Sequence, residues 1–332
     1  MLHEESMAPA LKTWYPWLKR LAIVLGLSIL IWQGHLVLAE TDFAEAFRLL
    51  RVIPRHMLAV NALLGHATIS LVALYDFVWF RYNPSGIRPR HVFVTAWIAS
   101  AVNNIACMGG LGGAVSRAVF YKRAGLADRE VVRLNIMLFP SFFSGLGALM
   151  WFNFIGARYV KALRGSYPGI YVVITVFALY LLLYLLSEMI PFARLRAVLV
   201  KWGFVGSLRL KLGMVAVSTL NWLSISALLW FIGIQFNPSL ELVAVILFFT
   251  LATCIGVVSP MPAGIGYFDI IMMAGLQMAG MSGEESINTV LMFRVSFHLL
   301  PFVTAMILSA LALRLQKRNA DLQESGGAPR IL

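Results

Sequence analysis

The chain has 332 residues, of which 60% are hydrophobic and only 13% are charged, and its mean hydropathy is +0.81. Soluble globular domains do not have this composition. Apolar runs long enough to cross about 30 Å of hydrocarbon as helices recur between Leu21 and Leu313, and they are too long for the strands of an outer-membrane barrel. We therefore predict an all-α polytopic membrane protein with a single transmembrane domain over residues 21–313.

The formal net charge of +12 does not indicate a nucleic-acid partner. Lys and Arg cluster at the ends of apolar segments, as at Lys19, Arg20 and residues 314–318, which is the positive-inside signature of multi-pass membrane proteins. We predict a location in the bacterial cytoplasmic (inner) membrane with both termini in the cytoplasm. The two cysteines, Cys107 and Cys254, lie within apolar runs, so we predict small buried hydrophobes, no metal and no cofactor.

Residues 1–20 form a short basic lead, and the first apolar segment is 21–38. The tripeptide at 37–39, Val-Leu-Ala, resembles a signal-peptidase site, so a cleaved signal peptide and an uncleaved first helix both fit. Residues 40–55 mix apolar side chains with balanced charges, which predicts a short amphipathic helix at the membrane interface.

The first glycine break follows two apolar segments, at 57–80 and 91–108. Asp76 fits two interpretations: an interfacial acid paired with an arginine of the basic loop 81–90, or a cavity residue. Residues 109–113, Gly-Gly-Leu-Gly-Gly, interrupt the helix. Arg117 and Tyr121 then lie four residues apart, on one face of a short segment over 114–124.

The middle of the chain carries further apolar spans at 131–155, 170–190, 212–234 and 242–258. The loop 191–211 contains five basic residues and no acid, which places it in the cytoplasm.

The second break is Ser259–Asp269, Ser-Pro-Met-Pro-Ala-Gly-Ile-Gly-Tyr-Phe-Asp. It leads into a segment over 266–281. A carboxylate among apolar residues, as at Asp269, marks a functional site by default. The last span, 288–313, carries Arg294 and His298 four residues apart, and we predict a disordered cytoplasmic tail over 314–332.

The span count depends on the segments after the breaks. Ten segments cross if every one spans the membrane, whereas about eight full spans are left if the two segments after the breaks are re-entrant half-helices. In the ten-segment topology, with the amino terminus inside, the basic loops and the tail lie in the cytoplasm and Glu284-Glu285 lies outside. The loop with Arg158, Lys161 and Arg164 does not fit this rule.

The two breaks indicate an internal repeat. Residues 108–113 and 261–266 each follow a cysteine-containing span, and the segments after them contain Ala-Gly-Leu at 124–126 and 274–276. Repeat halves over about 57–156 and 212–313 would be inverted, as in transporters whose broken helices meet at the substrate site. The exposed amide ends of broken helices suit an anionic headgroup. The alternative is that the glycines only allow close helix packing.

Arg294 needs a counter-charge at membrane depth, and Asp269 or a lipid phosphate could supply it. A purely structural pair of these residues is the alternative, and His298 on its own fits a satisfied interior histidine. We predict substrate-binding roles, with no catalytic residue, for Gly110, Gly112, Gly113, Arg117, Tyr121, Pro262, Gly264, Gly266, Asp269, Arg294 and His298.

At this point the chain resembles the transmembrane region of lysylphosphatidylglycerol synthases and their stand-alone inner-membrane relatives. The matching stretches, in family order, are Tyr75-Asp76, Gly109–Leu126, Asn221-Trp222, Met261–Gly266 with the acid at 269, and Phe293–Pro301. The resemblance implies movement of aminoacylated or other anionic phospholipids between leaflets. The family's usual acid after the second break is glutamate, and its basic segment after the first break is richer in arginine; here they are Asp269 and a single Arg117 before Lys122-Arg123. In the family, a soluble catalytic domain follows this region. The present sequence ends at Leu332 without such a domain, so we expect no lipid aminoacylation by this chain.

The leading hypothesis is therefore a lipid flippase whose partners are membrane phospholipids. A membrane partner for a separately encoded lipid-modifying enzyme is the second hypothesis. An intramembrane transferase is the third; the five aspartates, at 42, 76, 128, 269 and 321, are far apart in sequence and offer no paired acids. The oligomeric state is left open.

Overall fold

A computed structural model describes residues 42–105, 111–155, 170–204, 206–258 and 266–324. Over those ranges the chain forms helices and no strand, so the predicted all-α class is confirmed for them. The helices are α1 (Phe43–Val52), α2 (Arg55–Tyr82), α3 (Pro89–Ile105), α4 (Leu111–Arg123), α5 (Asp128–Ile155), α6 (Ile170–Leu186), α7 (Ala193–Lys201), α8 (Leu208–Gly233), α9 (Leu242–Val258), α10 (Tyr267–Met278), α11 (Gly283–Phe293) and α12 (Leu300–Glu324), with a π-helical segment (Arg294–Leu299) between α11 and α12.

Several predicted features lie outside the described residues. They are the lead and first apolar segment with its cleavage motif, the loop with Arg158, Lys161 and Arg164, and residues 106–110, 259–265 and 325–332, which include Cys107, Gly110, Pro262 and Gly264.

Four described helices are long and apolar enough to cross a membrane. They are α2, the Asp128–Phe152 part of α5, α8, and the continuous stretch Gly283–Ala312. Three shorter apolar helices, Tyr171–Leu186, Leu242–Gly256 and Tyr267–Met278, accompany them. The chain is thus a multi-pass membrane protein, and the count of eight spans stays a prediction.

Two helix boundaries differ from the sequence-based expectation. Helix α4 begins at Leu111, so Gly112 and Gly113 lie in its first turn and not in the break. Helix α12 continues to Glu324, whereas disorder was predicted from residue 314. No Gly or Pro occurs between residues 314 and 324, so nothing in the backbone stops the preceding helix from continuing.

Helix α1 is the predicted amphipathic helix. The Asp42 carboxylate caps it by accepting the N–H groups of Ala44 and Glu45 at 2.9 and 3.2 Å. Ala46 is buried while Phe47 is 57% exposed, and the Asn288 side chain on α11 donates to the Ala46 carbonyl at 2.7 Å. The helix is therefore fastened to the bundle on one face only.

Helix α8 lies at the centre and contacts α2, α5, α6, α9 and α11. It runs antiparallel to α2, because Asn61 near the start of α2 exchanges two hydrogen bonds with Gln235 just after the end of α8, at 3.2 and 2.9 Å. Gly213 and Val78 meet at the opposite end of the same helix pair. The bundle thus has an "Asn61 end" and an opposite end.

The opposite end collects the basic loops, and we call it the basic end. The last turns of α2 and α4 pack there against the first turns of α5 and α8, in a buried cluster that includes Trp79, Tyr121, Leu126, Val131 and Leu210. The loops 81–90, 122–129 and 191–211 therefore share one end. Glu284 lies at the Asn61 end, where it accepts the N–H of Asp42 at 2.8 Å. The three basic loops thus lie at one end of the bundle and Glu284 lies at the other, while the membrane side that each end faces stays a prediction.

Each break joins two antiparallel helices. Helix α4 folds back along α3, since Tyr121 near its end reaches the Val92 carbonyl near the start of α3 (3.4 Å). Helix α10 folds back along α9, where Gly275 lies directly against Phe248. At 13 and 12 residues, α4 and α10 are about 18–20 Å long, shorter than the hydrocarbon core.

The two hairpins point in opposite directions. Helix α3 starts at the basic end, whereas α9 starts at the Asn61 end, where the Trp230 indole N–H donates to the Leu240 carbonyl at 2.9 Å. The first break therefore follows a helix running away from the basic end, and the second follows a helix running toward it.

Candidate functional site

One cavity of about 700 Å³ lies between the two hairpins. Its walls come from α2–α5, from α7–α11 and from the π-helical segment, and many of the lining side chains are aromatic. The polar side chains on the walls are Tyr75, Ser100, Asn103, Asn104, Arg117, Asn135, Lys201, Trp202, Asn221, Trp222, Thr253, Arg294 and His298. A mostly apolar wall with a few convergent polar groups is the usual form of a ligand site.

The first charge pair joins α4 to α2. Arg117 Nε lies 2.9 Å from Asp76 Oδ2, and Arg117 Nη2 lies 2.9 Å from Asp76 Oδ1. The Tyr121 hydroxyl donates to Asp76 Oδ2 at 2.6 Å. The i, i+4 spacing on α4 aims both donors at the same carboxylate. Asp76 is therefore bound to an arginine within the bundle. The interpretation that paired it with an arginine of the loop 81–90 is wrong.

In this pair, the arginine lines the cavity and the carboxylate does not. Arg117 lines the cavity, whereas Asp76 and Tyr121, both 0% exposed, lie behind it. The hydrogen bonds from Arg117 to Asp76 come from Nε and Nη2. Tyr121 was predicted to bind substrate. Its hydroxyl donates to Asp76, the same carboxylate that binds Arg117.

The second charge pair is the one predicted from the sequence. Arg294 Nε donates to Asp269 Oδ1 at 2.7 Å. The other carboxylate oxygen accepts the N–H of Gly266 at 2.9 Å, at the start of α10, where the φ of Gly266 is +85° and only glycine fits readily. The Arg294 guanidinium also lies 5.0 Å above the Phe268 ring, a cation–π distance.

His298 extends this second cluster. Arg294 Nη1 lies 3.1 Å from His298 Nε2. Because a guanidinium can only donate, Nε2 accepts and the neutral ring carries its proton on Nδ1. Nδ1 is buried and has no hydrogen-bond partner in the described part of the chain. His298 is thus only half satisfied, unlike the interior histidine considered as the alternative.

At each predicted open helix end, one described backbone amide has a partner within the chain. At the start of α4, the Gly113 N–H donates to Asn103 Oδ1 at 3.3 Å. At the start of α10, the Gly266 N–H is bound by Asp269. Gly112 contributes its carbonyl, which accepts the Ser116 hydroxyl at 2.9 Å. The amides of Gly113 and Gly266 are therefore already bound within the chain, whereas Arg117 and Arg294 line the cavity.

The cavity wall is cationic. In the described part of the chain, the charged side chains that line it are Arg117, Arg294 and Lys201. Asp76 and Asp269 are in contact with two of these cations but do not line the wall. Lys201 comes from α7, within the basic loop, and sequence reasoning gave no sign of its place here.

Five polar side chains on the wall have unused hydrogen-bonding atoms within the described ranges. They are Tyr75 Oη, Asn104 Nδ2, Asn221 Nδ2 and Oδ1, Thr253 Oγ1 and His298 Nδ1. Burial of such an atom without a partner costs about 1–3 kcal/mol, so native proteins rarely tolerate several together. Their convergence on one cavity indicates a place where something polar binds. Asn221 was noted in the sequence near mid-span but was not assigned to the site.

Among the described residues no group of three His, Cys, Asp or Glu side chains could hold a metal ion. Cys254 is buried and is not in a disulfide.

Comparison with known proteins identifies the family to which this chain belongs. Residues 17–316 match the family model described as "Lysylphosphatidylglycerol synthase TM region". Similar curated proteins are phosphatidylglycerol lysyltransferases from Bacillus subtilis (strain 168), 24% identical over 87% of this chain and 34% of that protein, and from Staphylococcus aureus (strain COL), 25% identical over 82% and 31%. A third, from Staphylococcus haemolyticus (strain JCSC1435), is 26% identical over 87% and 33%. The chain thus spans about a third of the length of these relatives. It belongs to the family of lysylphosphatidylglycerol synthase transmembrane regions.

Proposed function

We propose that this membrane domain is a lipid flippase, which binds the headgroup of an anionic phospholipid in the cavity and carries it between leaflets. The observation that supports this most directly is the placement of Arg117 and Arg294 on the wall, each bound to a carboxylate that does not itself line the wall. A phosphodiester entering the cavity would meet the guanidinium groups of these two arginines. Guanidinium groups suit such an oxyanion because they donate several hydrogen bonds in fixed directions.

The reversed hairpins suggest how the headgroup would reach both leaflets. We infer that α2–α5 and α8–α12 are inverted repeats, with α4 and α10 as re-entrant half-helices. Each half-helix contributes one member of a charge pair, Arg117 from α4 and Asp269 from α10. Broken helices that meet at a shared site between inverted units are the usual basis of alternating access.

The basic end would face the cytoplasm, because three basic loops collect there. We therefore propose the bacterial cytoplasmic membrane as the location, with both termini inside. The proposed activity moves a lipid and includes no chemical step on it.

Lipid translocation in proteoliposomes tests this function. Purified protein is reconstituted with a short-chain fluorescent phosphatidylglycerol, and dithionite quenching reports how much probe reaches the inner leaflet. We expect translocation by the wild type and at least a tenfold loss with Arg117→Gln or Arg294→Ala. Wild-type rates from Asp269→Asn and Arg294→Ala would contradict the assigned site. Absence of translocation by well-folded wild-type protein would contradict the flippase itself.

A second candidate is a membrane partner for a lipid-modifying enzyme. It is favoured by one observation, that the similar curated proteins are named phosphatidylglycerol lysyltransferases. Stoichiometric co-purification of a soluble lipid-modifying subunit from the native host would support it.

A further inference from the structure

We propose that the cavity opens sideways into the bilayer along α5 and α7, and that Lys201 and Trp202 form a phospholipid-loading site at this opening. The site would hold the phosphate of a lipid from the leaflet at the basic end while the acyl chains stay in the bilayer. This inference rests on the proposed function and deepens it by naming where the lipid enters. Glycerophospholipids share a phosphate and ester-linked chains, so the assignment does not depend on what else the headgroup carries.

The exposed part of the cavity wall is confined to three neighbouring elements. Of the described residues that line the cavity, the exposed ones are Leu111, Ile136, Phe139, Lys201 and Trp202, and the others are buried or half-buried. They belong to α4, to α5 and to the end of α7. A residue that lines a cavity and is also exposed marks a place where the cavity meets the exterior. In the described part of the chain, the cavity therefore opens beside α4, α5 and α7.

An apolar track on α5 leads through this opening. Ile136, Phe139 and Phe143 follow one another at the i, i+3, i+7 spacing of a single helix face, and all three line the cavity. Ile136 and Phe139 are 42% and 46% exposed, whereas Phe143 is half-buried. Seven residues cover about 10 Å along a helix, so the track passes from the lipid-facing surface into the cavity. An acyl chain could stay against its outer part while the headgroup enters.

The end of α7 is fixed by its own hydrogen bonds. The Phe204 N–H donates to the Leu199 carbonyl at 3.0 Å. The Gly203 N–H donates to the Val200 carbonyl at 3.1 Å, and the φ of Gly203 is +87°. These are the two hydrogen bonds and the left-handed glycine of a Schellman motif. Leu199 and Phe204 also pack together against Tyr184 of α6, so the last turn of α7 is held in place.

This turn lies directly on the apolar track. A Cβ atom at Gly203 would collide with the main-chain carbonyl of Ile136 on α5. The backbone of the turn and the backbone of α5 are therefore in contact. Lys201 and Trp202 immediately precede Gly203, which places both side chains at the opening, where they line the cavity.

Helix α7 also has the features of a helix at the membrane surface. Leu199 is its buried residue, whereas Leu195 and Val198 are exposed, as is Phe192 just before the helix. The loop 191–211 that contains α7 has five basic residues and no acid. Exposed apolar side chains combined with Lys and Arg are typical of helices that lie in the headgroup region. The opening is thus at headgroup level in the leaflet at the basic end.

Lys201 and Trp202 suit the parts of a phospholipid found at that level. The Lys201 ammonium is a compact charge with three donors on a flexible stem, so it can follow a phosphate that moves toward the cavity. Trp202 is 56% exposed, and tryptophan favours the membrane interface because its ring is apolar and its N–H is polar. The same cavity wall carries Arg117 and Arg294, to which the phosphate would pass next.

Photolabelling by a lipid tests the loading site. The protein is reconstituted in phosphatidylcholine vesicles that contain a phosphatidylglycerol with a diazirine in one acyl chain, and labelled residues are mapped by mass spectrometry. We expect labelling of Ile136 and Phe139 to fall at least fivefold with Lys201→Gln and to recover with Lys201→Arg. Val172 and Val176, which are exposed on α6 and do not line the cavity, report contact with bulk lipid and should be labelled equally in all variants.

Arg194→Gln is the matched control variant, because Arg194 is an exposed cation on the same helix and does not line the cavity. It should leave the labelling of Ile136 and Phe139 unchanged. No loss with Lys201→Gln, or an equal loss with Arg194→Gln, would overturn the proposal. Soluble glycerol phosphate should protect these residues less than unlabelled phosphatidylglycerol does. Equal protection would mean a site for free phosphate and would overturn the assignment to a lipid.

The outcomes separate this inference from the proposed function. If Lys201→Gln leaves the labelling unchanged while Arg117→Gln still slows translocation, the loading site fails and the flippase stands. If the labelling depends on Lys201 but the folded wild-type protein moves no lipid, the flippase fails and the loading site stands as a lipid-binding site.

Discussion

The Asp76 carboxylate and the Arg117 guanidinium meet edge to edge, with both Nε–Oδ2 and Nη2–Oδ1 at 2.9 Å. Asp76 is fully buried, and Arg117, which lines the cavity, is 8% exposed. Two charges in this position are tolerated because each neutralises the other. The pair therefore links α4 to the long helix α2. Helix α4, at 13 residues, is too short to cross the membrane itself.

Removing one member of this pair should be strongly destabilising. We expect Asp76→Asn to lower the free energy of unfolding by about 3–5 kcal/mol, because it leaves Arg117 buried without a counter-charge. Unfolding in mixed detergent micelles with increasing dodecyl sulfate measures this. The double variant Asp76→Asn/Arg117→Gln should recover much of the loss.

The control for that prediction is an exposed ion pair. Lys122 and Asp128 lie 2.9 Å apart with largely exposed side chains, so Asp128→Asn should cost less than about 1 kcal/mol. A similar loss from Asp76→Asn and Asp128→Asn would mean that burial of the first pair has no energetic effect.

Close contact between α2 and the π-helical segment should make Gly65 irreplaceable. A Cβ atom at Gly65 would collide with the main-chain carbonyl of Ser296, whereas one at Gly213 would meet only the Val78 side chain, at 3.3 Å. We expect Gly65→Ala to destabilise by about 1–3 kcal/mol and Gly213→Ala to be close to neutral. Thermal unfolding in detergent compares the two. Equal stabilities would show that the π-helical segment shifts freely, together with Arg294 and His298.

The geometry of Arg294 should matter beyond its charge. Its Nε binds Asp269 while its Nη1 binds His298, and a lysine ammonium at the end of a flexible chain cannot hold both in the same directions. We expect Arg294→Lys to reduce lipid translocation by about tenfold. Arg314→Lys, at an exposed position on α12, should transport like the wild type. Wild-type transport by Arg294→Lys would mean that a positive charge alone is sufficient.

Helix α1 should be released by a single side-chain change. Asn288→Ala removes the hydrogen bond to the Ala46 carbonyl, a loss of about 1–2 kcal/mol, which corresponds to a factor of roughly 5–30 in the local opening equilibrium. Trypsin should then cut faster at Arg48 and Arg51 on α1. Ser286→Ala is the control, because the Ser286 hydroxyl bonds only to the Ser282 carbonyl of its own helix region. Equal cleavage rates in both variants would contradict this role of Asn288.

Much of the site could be predicted from isolated charges. Asp269 and Arg294 stand alone in apolar segments, so each required a partner, and the structure joins them. Asp76 was different, because arginines in the loop 81–90 are closer in sequence than Arg117. The choice between those partners depends on how α2 packs against α4, which local sequence does not encode.

The partners of the amides at the helix starts also required three-dimensional information. Sequence identified the breaks, and general physics then predicted open amides for an anion. Asp269 lies three residues after Gly266, a spacing typical of a carboxylate that caps its own helix, and this signal indicates that the Gly266 amide is bound within the chain. Asn221 and Lys201 offered no such signal, because a mid-span amide and a loop lysine are each common in membrane proteins and gain meaning only on a shared cavity wall.

The pairing of Arg117 with Asp76 and of Arg294 with Asp269 has an electrical consequence for the proposed carrier. These four groups sum to zero charge, so the two pairs add no net charge to the site when its exposure changes from one leaflet to the other. A bound anionic lipid adds one negative charge. The membrane potential, at about 2.3 kcal/mol per charge per 100 mV, would then act on the charge of the lipid and on that of Lys201, and not on the two neutral pairs.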